Sequence, residues 1–154
     1  MQIRKATIED TNSLVPLFAG SLQNMARLQP RQYRDAEQDV DFIQKGILDQ
    51  DSDVLVAEQD GHIVGIASVF SVPVSPKPHR VQQTYCKLNT LYVLEPYRNQ
   101  GIGSALLEAA WDWAKARGLA SLQLMTLGEN ENARRFYERA GLREHQIVYI
   151  REAR

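Results

Sequence analysis

Two glycines stand where a strand-like run gives way to a helix, in Leu91-Tyr92-Val93-Leu94-Glu95-Pro96-Tyr97-Arg98-Asn99-Gln100-Gly101-Ile102-Gly103-Ser104. Glycine at 101 and 103 lets successive backbone N–H groups turn into one concavity, and a helix N-terminus adds partial positive charge to it. Such a turn suits a phosphate or pyrophosphate. Arg98, three residues ahead of Gly101, can add a charge-assisted contact to the same anion. Ordinary nucleotide fingerprints do not fit. Leu106 stands where a dinucleotide fold wants a third small residue, Ser121 offers no acidic partner to a ribose, and no Gly-Lys-Ser/Thr run occurs.

The elements that must position this turn follow from hydrophobic spacing. Gln2 to Lys5 reads as a strand. Thr7, with Asp10 three positions on, caps a first helix over 8–20, and a second helix covers about 34–49. The runs 53–58 and 63–72, separated by Gln59, Asp60, Gly61 and His62, read as an antiparallel hairpin. Pro73, Pro76 and Pro78 make 73–80 a loop, and Val81 to Val93 is a long strand. An amphipathic helix over 104–117 stops at Gly118, and 120–127 is an apolar strand. A helix over 132–140 closes at Gly141, and 147–151 is a last strand. The order β-α-α-β-β-β-α-β-α-β predicts an α/β sheet flanked by helices, with parallel or mixed pairing between 81–93 and 120–127.

Composition narrows the function. With 154 residues, 44% hydrophobic and 24% charged, residues 1–154 are expected to form one globular domain. A net charge of −1 argues against binding nucleic acid by bulk electrostatics. Ile63 to Phe70, the longest aliphatic stretch, is far short of the roughly 20 residues that cross a bilayer. Met1 to Asp10 lacks the apolar core of a secretion signal, and the one cysteine, Cys86, has no intrachain partner, so a cytoplasmic location is expected. Residues 34–60 hold nine acids against Arg34 and Lys45, a charge that could steer a cationic substrate or simply solvate a helix and its loop.

Arg98-Asn99-Gln100-Gly101-Ile102-Gly103 follows the pattern Q/R-x-x-G-x-G/A. Asn130, Ala133, Phe136, Tyr137, Gly141 and Leu142 follow a second, Asn-x-x-Ala-x-x-aromatic-Tyr with a later Gly and an apolar residue. With both blocks in this order, the chain resembles the GCN5-related N-acetyltransferase (GNAT) family. The resemblance implies a mixed, mostly antiparallel sheet of about six to seven strands flanked by four helices, and acetyl-CoA as cosubstrate, with no metal. By similarity, N–H groups from Arg98 through Asn99, Gln100, Gly101, Ile102 and Gly103 to Ser104 bind the pyrophosphate, and the main chain of Leu91, Tyr92 and Val93 pairs with the pantetheine arm. Asn130 bonds the pantetheine region, with Ala133 and Phe136 in the same block, and Tyr137 is the general acid for the departing thiolate. An N–H near Val93 would stabilise the oxyanion of a direct transfer to an amine.

The sequence departs from the family pattern in three places. No acid lies on 81–93, Met125 stands where some members carry Glu, and Pro96 is shifted by one residue. The general base is therefore unassigned; Glu129 and His79 are the nearest candidates, and each reads more readily as a solvated loop residue. Cys86 reads as a small buried hydrophobe rather than a nucleophile. Implied partners are a small-molecule or peptide amine, without nucleic acid or membrane. Homodimers are common in the family, and nothing in the sequence specifies an interface. Two other readings stay open: a non-catalytic acyl-CoA-binding or regulatory module, and a nucleotide-binding or interaction domain without CoA. The acidic 34–60 segment and the cations Lys77, His79 and Arg80 pull the acceptor's charge in opposite directions.

Overall fold

The computed structural model describes residues 1–153. β1 (Gln2–Lys5) leads through a single 3-10 turn at Ile8–Asp10 into α1 (Thr11–Leu28), which is followed by α2 (Val40–Leu48). β2 (Ser52–Gln59), β3 (His62–Pro73) and β4 (Thr84–Val93) come next, then α3 (Ile102–Ala116), β5 (Leu122–Gln123) and α4 (Glu131–Arg139). Among the described residues the sheet has five strands in the order β1-β2-β3-β4-β5. Every pairing is antiparallel except β4 with β5, which is parallel. This corrects the expected six to seven strands.

The missing strand is 147–151, which has no sheet partner, and the expected strand over 120–127 pairs only at Leu122 and Gln123. Apolar, β-branched character marks what can pair, and the ladder forms only where a neighbour's edge lies alongside. Helix bounds moved for local reasons. α1 runs through Gly20 to Leu28 because tertiary packing, described below, offsets glycine's poor helix propensity. α2 starts at Val40 because the Asp39 carboxylate accepts from the Asp41 N–H at 3.1 Å and caps it there. Asp35 and Glu37 therefore lie outside the acidic helix face expected of 34–49. The hairpin expectation holds, with Asp60 (φ 51°) and Gly61 (φ 77°) both left-handed as its tight turn requires.

Two cores flank the sheet. On one face α3 buries Ile102, Leu106, Leu107, Ala110, Trp113 and Ala114 against Leu55, Ala67, Val69, Cys86 and Leu88. On the other, Leu14, Leu17 and Phe18 of α1 and Ile43 of α2 cover Val54, Val56 and Ile66. Beside Gly65 a Cβ would sit 3.0 Å from Leu106 Cδ1, so glycine there sets how closely α3 approaches the sheet. No helix among the described residues is long and apolar enough to cross a membrane.

Candidate active site

The site begins with an irregularity in β4. Ser68 pairs with Thr90 and Val69 with Leu88, so Asn89 is an extra residue bulged out of the ladder. One inserted residue exchanges the faces of everything after it. Cys86 and Leu88 point into the α3 core before the bulge, and Leu91 and Val93 do so after it, while Tyr92 turns to the α1 side. Parallel pairing with β5 runs only over Cys86 and Lys87. Beyond Asn89 the outer edge of β4 is therefore open. Leu94 donates its N–H to the Val64 carbonyl at 2.9 Å, and by alternation the N–H groups of Leu91 and Val93 point away from β3 toward that open edge.

Tyr92 fixes this stretch from the opposite face. A Cβ on Gly20 would lie 2.4 Å from the Tyr92 hydroxyl oxygen, so α1 meets β4 at this distance only with glycine at that position. Arg98 stacks its guanidinium 5.4 Å from the Tyr92 ring centre and donates Nε–H to the Val93 carbonyl at 2.9 Å. Part of its donor set thus holds the strand end in place. The Arg98 N–H itself donates to the Glu95 carbonyl at 3.2 Å, which narrows the expected run of free loop amides to Asn99 onward.

The turn then closes with Asn99 (φ 60°) and Gly101 (φ 82°) in the left-handed region, and Gln100 donating its side-chain amide to the Pro96 carbonyl at 3.2 Å. Gly101 caps α3, whose first bond in this turn runs from Ala105 N–H to the Gly101 carbonyl at 3.0 Å. The N–H groups of Ile102, Gly103 and Ser104 have no carbonyl in a preceding turn to accept them. A Cβ at Gly101 would meet nothing within 4 Å, so the space over these amides is open for a ligand anion.

The second block packs against the first through Phe136 and Tyr137. A Cβ at Gly103 would lie 3.6 Å from Phe136 Cζ, placing α4 beside the N-terminus of α3. Asn130 accepts the Ala133 N–H at 3.2 Å on its side-chain oxygen and so caps α4, leaving its amide NH2 for a ligand. Tyr137 meets Phe136 edge-on at 5.2 Å between ring centres and packs on the α3 core. Its hydroxyl makes no side-chain bond, and no buried side-chain polar atom among the described residues lacks a partner, so the oxygen reaches solvent. Burial pushes the phenol up to about 12, which keeps it a proton donor at any ordinary pH.

The remaining candidates separate. Cys86 is buried and its thiol is pushed up to about 11 by desolvation, which suits packing and not nucleophilic attack. Glu129 accepts from the Gln29 amide at 2.5 Å, and that bond holds its carboxyl below the usual range, which weakens it as a base. His79 sits with Arg80, Gln83 and His145 around an open groove of about 370 Å³, on the loop leading into the start of β4 rather than its Gly101 end. Sequence reasoning missed Gly20 and Asn89. A glycine inside a helical apolar period was a readable signal for the first; Asn89 carried none.

Known proteins resemble this chain in sequence and in fold. The profile of the Acetyltransferase (GNAT) family matches residues 20–142. The uncharacterized N-acetyltransferase YhfO of Bacillus subtilis (strain 168) is 32% identical over 144 residues, covering 94% of this chain and 91% of its own. The aminoalkylphosphonate N-acetyltransferase of Salmonella typhimurium is 30% identical over 151 residues, covering 97% and 90%. Among solved structures, a tetramutant of the BH1408 protein from Bacillus halodurans superposes with a TM-score of 0.93 at 24% identity, over 99% of this chain and 100% of that one. An aminoglycoside N-acetyltransferase in complex with CoA superposes at 0.70 with 16% identity, over 99% of both chains. The chain belongs to the GNAT family and is an N-acetyltransferase.

Proposed function

We propose that this enzyme moves an acetyl group from acetyl-CoA directly to a primary amine of a small molecule or peptide. The observation that carries the proposal is the open edge of β4 beyond Asn89, which ends at the free amides of the Gly101 turn. A strand edge followed by an anion cradle matches a ligand with an amide-bearing arm and a pyrophosphate. Acetyl-CoA supplies an acyl group already activated as a thioester. The main chain of Leu91, Tyr92 and Val93 holds the arm, with Asn130, Ala133 and Phe136 lining its far side. The amides of Asn99, Gln100, Gly101, Ile102, Gly103 and Ser104, with the remaining donors of Arg98, hold the pyrophosphate.

Transfer then depends on alignment and charge. Fixing amine and carbonyl together is worth effective molarities of about 10⁵ to 10⁸ M, and the Val93 N–H stabilises the oxyanion. Tyr137 donates a proton to the leaving sulfur, and the attacking amine loses its own to water. The Salmonella relative, named for an aminoalkylphosphonate, supports a small amine as acceptor.

The test is thermal unfolding with acetyl-CoA, using ATP and NAD as controls, followed by thiol release with a panel of amines. At about 100 times its dissociation constant, acetyl-CoA adds about 2.7 kcal/mol, a rise of roughly 5 to 11 °C. A rise specific to acetyl-CoA together with amine-dependent thiol release is the expected result. Absence of the rise overturns the cofactor assignment, and a rise without thiol release from any amine overturns the reaction.

A further inference from the structure

The open groove of about 370 Å³ beside the start of β4 has walls from two distant stretches of chain. His79, Arg80 and Gln83 come from the connection between β3 and β4, and His145 and Gln146 from the segment after α4. Each wall is held in place. Val74 donates its N–H to the Gln83 carbonyl at 2.8 Å, and Arg80 donates its own to the Lys77 carbonyl at 2.9 Å, across a connection stiffened by Pro76 and Pro78. Opposite them, Glu144 pairs with Arg134 at 3.0 Å and Glu152 with Arg31, which anchors the segment on both sides of His145.

The lining is one-sided in charge. It contains Arg80 and two imidazoles and no carboxylate, and none of these three has an ion-pair partner among the described residues. No Asp or Glu occurs between Asp60 and Glu95, and Glu144, next to His145, is already neutralised by Arg134. The acids of 34–60 contribute nothing to the lining. Gln83 and Gln146 add neutral amide donors. Cationic and amide donors converging without a counter-charge favour a carboxylate or a phosphate.

We propose that this groove holds the anionic far end of the acceptor, so that the enzyme prefers an elongated amine ending in a carboxylate or phosphate. The inference rests on the acetyl-transfer reading above. With pyrophosphate at the Gly101 turn and the arm along Leu91 to Val93, the cofactor occupies the far end of β4. Its acyl end then points back along the strand, toward the groove. From Gln83 to Leu91 the chain covers on the order of 25 Å. The reach of the Arg80 side chain and its hydrogen bond takes up roughly 10 Å of this. Amine and anion are then roughly 15 Å apart, the length of about five extended residues. The groove side chains are exposed, so the anion adds about tenfold in rate and its effect is sensitive to salt.

Thiol release from acetyl-CoA with glycine-serine peptides of increasing length tests this, each made with a free C-terminal carboxylate and as the C-terminal amide. Peptides ending in phosphoserine amide separate phosphate from carboxylate, and peptides ending in lysine amide reverse the charge. The expected result is a kcat/KM about tenfold higher for the free acid than for the amide at about five residues, little difference in dipeptides, and loss of the advantage at high salt. Arg80→Gln with His145→Gln should bring the acid-to-amide ratio to about one, and the acetyl-CoA thermal shift of this variant checks that it is folded. Equal rates for acid and amide at every length, a preference for the lysine peptides, or an acid preference that survives in the variant overturns the groove assignment and leaves acetyl transfer standing. Small amines acetylated while every peptide is refused overturn it in the same way. No thiol release from any amine overturns the reaction beneath it as well.

Discussion

Tyr137 unites two properties that ordinarily conflict, a ring packed into the α3 core and an oxygen open to solvent. Its phenol, pushed to about 12 by desolvation, stays protonated at neutral and mildly alkaline pH. Tyr137→Phe is therefore expected to lower kcat by about 10²- to 10⁴-fold with acetyl-CoA affinity unchanged, measured by thiol release and by thermal shift. In the native enzyme kcat should show no alkaline fall from this residue below about pH 10. Full activity in the Phe variant would reduce Tyr137 to packing. The role proposed for Tyr137 comes from its motif position in the sequence, whereas the placement of its hydroxyl depends on how α4 lies against α3.

At the level of elements, α4 is capped by a residue for which a second duty, toward the cofactor, is proposed. Asn130 caps the helix through its oxygen, so Asn130→Ala should destabilise the protein by about 1 kcal/mol in denaturant unfolding. Asn130→Asp keeps an acceptor for the Ala133 N–H and loses the amide donor. Its stability should be close to the parent's while acetyl-CoA affinity drops, which separates cap from ligand contact. The bulge is the second device. Deleting Asn89 would return Leu91 and Val93 to the α1 face and force Tyr92 into the α3 core. A variant that unfolds at lower temperature and gives no acetyl-CoA shift is expected, and one that keeps the shift would show that cofactor binding does not depend on the bulge. The strand itself was readable from Thr84 to Val93; one extra residue within an apolar run leaves no mark on periodicity.

For the molecule as a whole, stability should be bounded on both sides by groups whose titration shifts on folding. Cys86 and Tyr137 are raised from 9.0 to about 11 and from 10.0 to about 12. The unfolded chain releases these protons first, so their contribution is intact below about pH 9 and falls away as pH climbs through 9 to 12. On the acid side Arg4 donates to both Asp10 oxygens, at 2.7 and 3.0 Å, and holds that carboxyl at about 2 against 3.8. Asp10 thus contributes above about pH 4 and ceases to as pH falls toward 2. Urea midpoints measured at pH 3, 8 and 10.5 should peak at pH 8, and Cys86→Ala with Tyr137→Phe should flatten the alkaline side.

The sequence by itself determined the glycine turn ahead of α3, because the left-handed φ of Gly101 is a property of one residue and its near neighbours. It also determined the hairpin at Asp60 and Gly61, whose left-handed backbone is a local matter. Only the tertiary structure decided that Gly103 meets Phe136, that Gly20 accommodates Tyr92 and carries α1 past its expected end, that Asn89 bulges from the ladder, and that β5 leaves the far end of the β4 edge unpaired. Each joins residues far apart in the chain or depends on the register of a neighbouring strand. The same reason accounts for 147–151, whose composition is that of a strand but whose pairing depends on an edge that its own sheet does not lay against it.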